Sequence, residues 1–381
     1  MIKTLFVGPV SGFASPNVVS KGILRALIQN GMYVSVADTT WDGSFDHTEP
    51  FFKQHNNRIR WLKRHEMSDV ILSGNIAEDY GNTCIVINPS LELFKIKRSG
   101  IKIAGMHVGD VDVIPEKWKQ AMGQEDVVLV PSKWCEHIVQ SSGIETPTIV
   151  INHGVSEIFQ PGSPLDAPSH DDQQSPLVLL HACAAVFYPE RKATPAVFDA
   201  FEELIKAGFN VRMKVVFGLN TKRIQELLDK RSEHAEARMD LIWHQGNRSQ
   251  YEIAELYRGV HALLSPSRAE GFGIMPLEAR ACGIPVIQTF CTGHADHFKN
   301  GSDPMSHGVV PVPHGGFTEG WSRYGKAPAV SVEAIFDAVV TCIANYDELR
   351  ADALARAAKV LDEWAWPNVT KPLIQWIEST S

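Results

Sequence analysis

Short apolar runs alternate with amphipathic helical segments along most of the chain. The first cycle comprises a strand at Thr4–Val7, a helix at Ser15–Gln29 and a second strand at Tyr33–Val36. Serine is a good N-cap, and Pro16 suits the first helical turn because its missing N–H has no partner there. The same rhythm returns after residue 177. The pattern therefore predicts an α/β protein built on parallel sheets.

Length and local composition predict two domains. A chain of 381 residues is long enough for two units of ordinary size. Residues 160–176 are rich in Pro, Ser, Asp and Gln, which indicates a linker or surface loop. We expect a first Rossmann-like domain at 1–158, a linker at 159–176, a second Rossmann-like domain at 177–363 and a final helical segment at 364–381. Residues 303–328, rich in Pro, Gly and His, are expected to form a surface insertion.

Charge and cysteine usage narrow the class of protein. The net charge of −8 argues against a general nucleic-acid or anionic-membrane surface. The six cysteines are scattered and form no CxxC pair, which is typical of reduced core thiols. The N-terminus lacks the features of a signal peptide, and no run approaches the roughly 20 apolar residues of a membrane span. We therefore expect a cytoplasmic protein.

Candidate chemistry is concentrated in residues 264–287. A strand ending at Leu264 is followed by the loop Gly271-Phe272-Gly273 and by a helix, with Glu270 before the glycines and Glu278 in the helix. Backbone amides at a helix N-terminus favour anions, and carboxylates accept hydrogen bonds from sugar hydroxyls. Spacing alone is compatible with a sugar-nucleotide site and with an ordinary βαβ unit that has solvated glutamates.

The run PSRAEGFGIMPLEARACGIPVI resembles the Glu-x7-Glu signature of the retaining glycosyltransferases of family 4. The resemblance implies the GT-B fold, with two doubly wound Rossmann-like domains facing across a cleft. It implies an acceptor-binding N-terminal domain, a C-terminal domain for the nucleotide sugar, and a final helix that crosses back to the first domain. The implied reaction moves a hexose from a nucleoside-diphosphate sugar, UDP- or GDP-sugar above all, to a hydroxyl acceptor. No cofactor or metal is implied.

The resemblance also assigns roles to individual residues. Glu190-Arg191-Lys192-Ala193 is similar to a family element whose basic side chains neutralise the diphosphate, although Ala193 stands where a glycine is usual. The implied catalytic residues are His107, Glu270, Lys192 and Arg191. The implied donor-binding residues are Ser11, Gly12, Arg191, Lys192, Asn247, Glu270, Gly271, Phe272, Gly273, Ile274, Met275 and Glu278.

Polar residues also follow a predicted strand at 101–105. Such positions suit a ligand, because ligands bind at the carboxyl ends of parallel strands. Family 4 members often carry a histidine or acidic residue at this point that reaches the transferred sugar, so the resemblance makes His107 the candidate for that contact. Asp110 is a candidate for the acceptor. Asp110-x-Asp112 looks superficially like the metal motif of the other glycosyltransferase fold, but the surrounding chain is GT-B-like. His294 and His297 have no second ligand cluster nearby in the sequence, so no metal site is expected.

Other functions remain open. Residues 51–65, FFKQHNNRIRWLKRH, mix basic and aromatic side chains and suit an anionic acceptor, or a phage-type glycosyltransferase acting on modified DNA bases. Such a segment is more often a solvated helix or loop. A non-catalytic GT-B binding protein is a further alternative. The Glu-x7-Glu context disfavours an epimerase, and no pyridoxal lysine motif of a phosphorylase is found. The sequence leaves open the acceptor (glycan, lipid, small molecule or DNA), the sugar, the base and the oligomeric state.

Overall fold

The computed structural model divides the chain into two units. The first comprises Met1–Ser156 with Glu363–Ser381, and the second comprises Glu157–Asp362. The residues that the structure describes are 2–10, 15–39, 50–63, 80–87, 101–163, 165–169, 174–183, 189–218, 222–243, 248–298, 303–319 and 325–380. Within this part, no helix has both the length and the apolar character needed to cross a membrane.

The first unit is built on a parallel sheet. Its described strands are β1 (Lys3–Gly8), β2 (Tyr33–Asp38), β3 (Ile59–Trp61), β4 (Thr83–Ile87), β5 (Lys102–Met106), β6 (Val127–Val130) and β7 (Thr148–Val150). They lie in the order β3-β2-β1-β4-β5-β6-β7, and every pair is parallel. The strand order reverses at β1 and β4, as in a doubly wound sheet.

Helices cover this sheet, and the end of the chain packs against one of them. Their bounds are Ser15–Gln29, Pro50–Gln54, Glu116–Met122, Lys133–Ser141, Trp366–Val369 and Lys371–Thr380. The backbone N–H of Val155 donates to the carbonyl of Trp364 at 2.7 Å. The ring of Trp366 fills the space beside Gly22 and Gly154, where a Cβ would come within 2.1 and 2.6 Å of it. The C-terminal segment is therefore part of the first unit's core.

The second unit has its own parallel sheet. Its described strands are β8 (Leu177–Cys183), β9 (Val211–Phe217), β10 (Met239–Trp243), β11 (Ala262–Ser265), β12 (Val286–Thr289) and β13 (Val309–Val312). They lie in the order β10-β9-β8-β11-β12-β13, and all pairs are parallel. A short antiparallel pair, β14 (Phe317–Thr318) and β15 (Ala327–Pro328), lies apart from this sheet. The strand order reverses at β8 and β11, so the second unit is also doubly wound.

Helices of the second unit bury the faces of its sheet. The α-helices are Thr194–Lys206, Lys222–Leu228, Glu233–Glu236, Gln250–Arg258, Ile274–Ala281, Val332–Ala344 and Tyr346–Glu363. The 3₁₀ turns are Pro189–Lys192, Thr292–His297 and Met305–His307. Apolar side chains from the sheet and from Thr194–Lys206 and Val332–Ala344 form one continuous core, which includes Phe198, Phe217 and Ile335.

One expectation about the second unit was wrong. Residues 303–328 were expected to form a surface insertion, but Val309–Val312 is the edge strand β13, paired with β12. Its three valines are buried, whereas Pro311 is exposed. Proline is tolerated on an edge strand, where its missing N–H leaves no ladder bond unmade. The proline and the neighbouring glycines and histidines concealed a strand of only four residues.

The described part of the segment expected to be a linker is fixed to the second unit. Arg258 donates to the carbonyls of Ile158 at 2.8 Å and Gln160 at 2.9 Å. The Val178 N–H donates to Nδ1 of His261 at 2.9 Å, so the ring's Nε2–H donates to the Asp166 carbonyl at 2.9 Å. These bonds satisfy backbone groups that a free linker would leave to water.

Candidate active site

Three of the predicted site residues meet at the point where the strand order of the second sheet reverses. Arg191 and Lys192 lie in the turn Pro189–Lys192 after β8, and Glu270 lies in the loop after β11. Because β8 and β11 are parallel neighbours, both loops leave the sheet at its carboxyl edge. This edge is where open α/β sheets bind their ligands. The topology thus brings together side chains that are almost 80 residues apart in the chain.

Glu270 holds both basic side chains. Lys192 Nζ donates to one carboxylate oxygen of Glu270, and Arg191 Nη1 donates to the other at 3.1 Å. Arg191 also donates to the carbonyl of Ala269 at 3.1 Å. Burial would raise the pKa of Glu270, but the positive charges of Lys192 and Arg191 outweigh burial and hold this pKa well below its usual range. One carboxylate against two cations leaves a net positive charge, which suits an anionic ligand.

The Glu270 loop is held by a second turn of backbone. The Glu270 N–H donates to the Thr292 hydroxyl at 3.0 Å, and the Gly293 N–H donates to the Glu270 carbonyl at 2.8 Å. Thr292 has a φ of 52°, which is costly for a β-branched residue and is concentrated at functional sites in folded proteins. At Gly293 a Cβ would lie 2.3 Å from the carbonyl oxygen of Gly271. The two turns are therefore packed backbone against backbone.

The predicted glycine loop leads into a helix with a free N-terminus. Gly273 is the N-cap of Ile274–Ala281, has a φ of 78° and makes no side-chain cap hydrogen bond. Phe272 is buried edge-on against His297, with ring centroids 5.0 Å apart. The amides of the first turn, including those of Ile274 and Met275, therefore have no capping side chain in the described structure. Such amides can bind phosphate oxygens.

Glu278 lies on the same helix in a different environment. It is buried, and the Tyr257 hydroxyl donates to its Oε2 at 2.9 Å. Burial raises the pKa of Glu278 to about 7, against the smaller opposing effect of the Tyr257 hydrogen bond. The two signature glutamates thus differ: Glu270 is paired with cations, and Glu278 meets a neutral hydroxyl.

A buried histidine fixes the loop that carries the two basic residues. His181, on β8, contacts the Leu264 carbonyl through Nδ1 at 3.0 Å and the Thr194 hydroxyl through Nε2 at 2.9 Å. Burial lowers the pKa of His181 to about 4, so the ring is neutral at pH 7. Since a carbonyl can only accept, Nδ1 carries the proton and Nε2 accepts from Thr194. His181 thereby ties β11 to the helix that begins at Thr194, two residues after Lys192.

In the first unit, His107 follows β5. Its backbone N–H donates to the Leu129 carbonyl at 2.9 Å, which extends the sheet pairing by one residue. Its ring Nε2 lies 2.7 Å from Oε1 of Glu125, and both side chains are buried. Asp110 lies half-buried in the loop that follows. Sequence reasoning missed Glu125, because a single glutamate before a strand carries no motif.

Several positions predicted from the sequence do not belong to the clusters described above. Ser11, Gly12 and Asn247 are outside the described residues, as are the last two residues of the 51–65 segment. The described rest of that segment is partly buried. Phe52 is buried edge-on against Trp61, and Arg58 donates to the Gly31 carbonyl at 2.6 Å. Its alternation of basic and aromatic residues therefore reflects core packing as well as surface charge.

The two histidines after the signature lie behind the glycine loop. His294 and His297 are buried, with ring centroids 5.3 Å apart. Burial lowers the pKa of His294 to about 4, although Glu270 acts in the opposite direction. In the part of the chain that the structure describes, no group of three or more His, Cys, Asp or Glu side chains could hold a metal ion. The His294 ring instead fills the space beside Gly273, where a Cβ would lie 2.2 Å from its Nε2.

The sequence comparisons agree with this geometry. A family model described as "Family 4 Glycosyltransferase in conflict systems" matches residues 132–373, which includes the Lys192–Glu270 cluster and the signature helix. The chain belongs to this family. The resemblance of the signature run to glycosyltransferases of family 4 predicted this family.

Curated relatives of this glycosyltransferase match it over shorter stretches. The serotype-specific mannosyltransferase WbdA of Escherichia coli is 33% identical over 138 residues, which covers 34% of this chain and 17% of WbdA. The D-inositol 3-phosphate glycosyltransferase of Frankia alni is 46% identical over 48 residues, covering 13% of this chain and 12% of that enzyme. The matched part thus spans about a sixth or less of the length of these relatives.

Solved glycosyltransferases share the fold over the whole chain. Anabaena Alr3699/HepE, in complex with UDP-glucose, superposes with a TM-score of 0.70 at 18% identity and covers 100% of both chains. The sucrose-phosphate synthase tll1590 of Thermosynechococcus elongatus gives 0.69 at 15% identity, again over 100% of both chains. Likeness at this identity establishes the fold. The predicted GT-B class, with two Rossmann-like units, is confirmed.

Proposed function

We propose that this glycosyltransferase moves a hexose from a UDP- or GDP-sugar to a hydroxyl acceptor, with retention at the anomeric carbon. The observation that carries the proposal is the ion cluster of the second unit. Arg191 and Lys192 both contact Glu270 beside an uncapped helix N-terminus. Cations and backbone amides at the same edge of a sheet suit a diphosphate, and the adjacent carboxylate suits sugar hydroxyls.

In this proposal each group has a separate task. The diphosphate takes the hydrogen bonds of Lys192 and Arg191 that Glu270 now accepts, and the amides at 273–275 contact its remaining oxygens. Glu270 is then free to orient the sugar. Glu278, with its raised pKa, takes the two ribose hydroxyls. The complexes of Alr3699/HepE with UDP and UDP-glucose support a nucleotide sugar as the donor.

The chemical step then depends on charge stabilisation. The bond between the anomeric carbon and the leaving diphosphate oxygen breaks while the acceptor oxygen attacks the same face of the sugar. The leaving phosphate takes the acceptor's proton, so the protein supplies no strong base. Lys192 and Arg191 stabilise the charge that develops on the diphosphate. In the first unit, we assign contact with the transferred sugar to His107 and contact with the acceptor substrate to Asp110.

A thermal-shift panel tests the donor site. UDP-, GDP-, ADP- and TDP-sugars are added to wild type, Glu278→Ala and Lys192→Ala. A ligand at a hundred times its Kd stabilises a folded protein by about 2.7 kcal/mol. We expect one base to stabilise the wild type and neither site variant. Lys222→Ala is the control, because that side chain is 91% exposed on another helix. No shift with any of the four would contradict the proposal.

A further inference from the structure

The first unit buries a glutamate side chain that the proposed reaction does not use. Glu125 lies between the helix Glu116–Met122 and strand β6, and its side chain is fully buried against His107. Burying a carboxylate costs free energy unless hydrogen bonds and opposite charge compensate. Replacing such a pair by apolar residues is often neutral or stabilising. Stabilisation of the fold therefore explains a buried glutamate at position 125 poorly. The contact of its side chain with His107 explains it better.

The local chain makes room for this carboxylate. At Gly105, on β5, a Cβ would lie within 2.3 Å of the carboxyl group of Glu125. The next residue anchors the turn: Asp126 accepts from the Ile103 N–H at 2.9 Å and from Lys102 at 3.1 Å. These contacts fasten the segment that carries Glu125 onto β5, the strand that ends just before His107. The carboxylate is thereby held at a fixed position against the imidazole.

This contact determines which nitrogen of His107 carries a proton. If Glu125 is ionised, its carboxylate can only accept, and Nε2 of His107 then carries the proton in the 2.7 Å contact with Glu125 Oε1. In the neutral ring Nδ1 is then the lone-pair nitrogen, which accepts a hydrogen bond from a hydroxyl. Without Glu125, both the tautomer and the ring orientation would be free to change.

We propose that Glu125 is a positioning residue for His107. It holds the ring in the Nε2-protonated tautomer so that Nδ1 can accept a hydrogen bond from a hydroxyl of the transferred sugar. This inference rests on the proposed function, because it gives His107 the sugar as its partner. Glu125 itself does not touch the substrate.

The first test measures the tautomer of His107 by NMR and does not require enzymatic activity. The 381-residue protein is labelled with ¹⁵N-histidine, and the His107 resonances are assigned by their loss in His107→Asn. We expect a pyrrole-type Nε2 with a hydrogen-bonded, downfield proton in the wild type and its disappearance in Glu125→Gln. A His107 ring protonated on Nδ1 alone in the wild type, or an unchanged spectrum in Glu125→Gln, would overturn the proposal.

The second test uses release of nucleotide from the sugar donor. Glu125→Gln should lower kcat at least roughly tenfold, as loss of an orienting carboxylate does, and leave the KM for the nucleotide sugar within about twofold. In a His107→Asn background the same substitution should have no further effect. Glu145→Gln, an exposed glutamate of the same unit, is the matched control and should behave as wild type.

The outcomes separate the two claims. Equal kcat in wild type and in folded Glu125→Gln, or an equal loss with and without His107, would overturn the role of Glu125 alone. An inactive wild type would contradict the proposed function, whereas the NMR result would still decide the His107–Glu125 bond. A thermal unfolding scan of each variant shows whether a lost rate reflects lost folding.

Discussion

At the scale of single residues, the two signature glutamates respond to pH in opposite senses. The pKa of Glu270 is depressed, so its contribution to stability is present above its unfolded pKa and is lost as the pH falls through the folded value. The pKa of Glu278 is raised to about 7, so the folded state binds its proton more tightly than the unfolded state. Ionising Glu278 therefore destabilises the protein as the pH rises from about 4.5 through 7.

The loss of stability that ionisation of Glu278 causes at higher pH is measurable by substitution. Glu278→Gln removes the ionisation while keeping the side-chain shape. We expect the difference in the free energy of unfolding between pH 5 and pH 8 to change by on the order of 3 kcal/mol, with the variant losing less stability as the pH rises. Urea unfolding at the two pH values measures this. Glu236→Gln, an exposed glutamate of the same unit, should follow the wild type. Parallel pH profiles for wild type and Glu278→Gln would count against the buried ionisation.

Ala193 carries backbone strain at the start of a site helix. It caps Thr194–Lys206 with a φ of 54°, in the left-handed region that glycine adopts freely. Ala193→Gly should therefore raise the free energy of unfolding by up to about 1 kcal/mol, because relief of strain outweighs the added freedom of the unfolded chain. Ala200→Gly, inside the same helix, should lower it by about 1 kcal/mol or more. Chemical denaturation compares the two variants. An equal loss in the free energy of unfolding would contradict backbone strain at Ala193.

The sequence identified those candidate site residues that belong to a local motif. Glu270, Glu278, Arg191 and Lys192 are recognisable because their neighbours in the chain form a characteristic pattern. Glu125, His181 and Thr292 are not recognisable in this way. Their significance lies in contacts with residues that are remote in sequence, such as the bond of Thr292 to Glu270, 22 residues away. Pairings of this kind become visible only once the chain is folded.

At the scale of elements, the glycine loop determines how closely the signature helix packs on its neighbours. Gly273 needs both a left-handed φ of 78° and the absence of a side chain, because a Cβ would lie 2.2 Å from His294 Nε2. Gly208 needs only the left-handed backbone, since its φ is 87° and nothing lies within 4 Å of the position a Cβ would take. This pair of glycines allows backbone strain and steric clash to be measured separately.

The comparison predicts a difference between two alanine variants. Gly208→Ala should cost about 1 kcal/mol of stability through backbone strain alone. Gly273→Ala should cost at least about 2 kcal/mol, because His294 must also move, and it should weaken binding of the nucleotide sugar. Urea denaturation and thermal shifts with the sugar provide the two readouts. If both variants lost the same stability and both bound the nucleotide sugar normally, the close packing of Gly273 against His294 would be wrong.

The sequence predicted elements well where they are long and periodic. The helix expected at Ser15–Gln29 is found with the same bounds, and the strand expected at Tyr33–Val36 is found as Tyr33–Asp38. Strand β13 was missed because four residues with a proline give no clear alternation. Its strand character depends on pairing with β12, which supplies the hydrogen bonds and covers the valines.

At the scale of the whole molecule, the end of the chain completes the first unit. Trp366 is buried against Gly22 and Gly154, and Leu373, Ile374 and Ile377 are also buried. Trp366→Ala should lower the free energy of unfolding by about 3–5 kcal/mol. Hydrogen exchange should show the loss of protection in Ser15–Gln29, with strands β8 and β11 unaffected. Trp118→Ala, with a side chain that is 45% exposed, is the control and should change little. Uniform loss of protection in both units would contradict this prediction.

Release of nucleotide from a sugar donor by the 381-residue protein tests the proposed donor site most directly. UDP-glucose and GDP-mannose are incubated with wild type, Lys192→Ala and the exposed-lysine control Lys222→Ala, and free UDP or GDP is measured over time. We predict release from one donor by wild type and by Lys222→Ala, with a loss of at least about a hundredfold in Lys192→Ala. Equal release by all three proteins, or release from neither donor, would contradict this prediction.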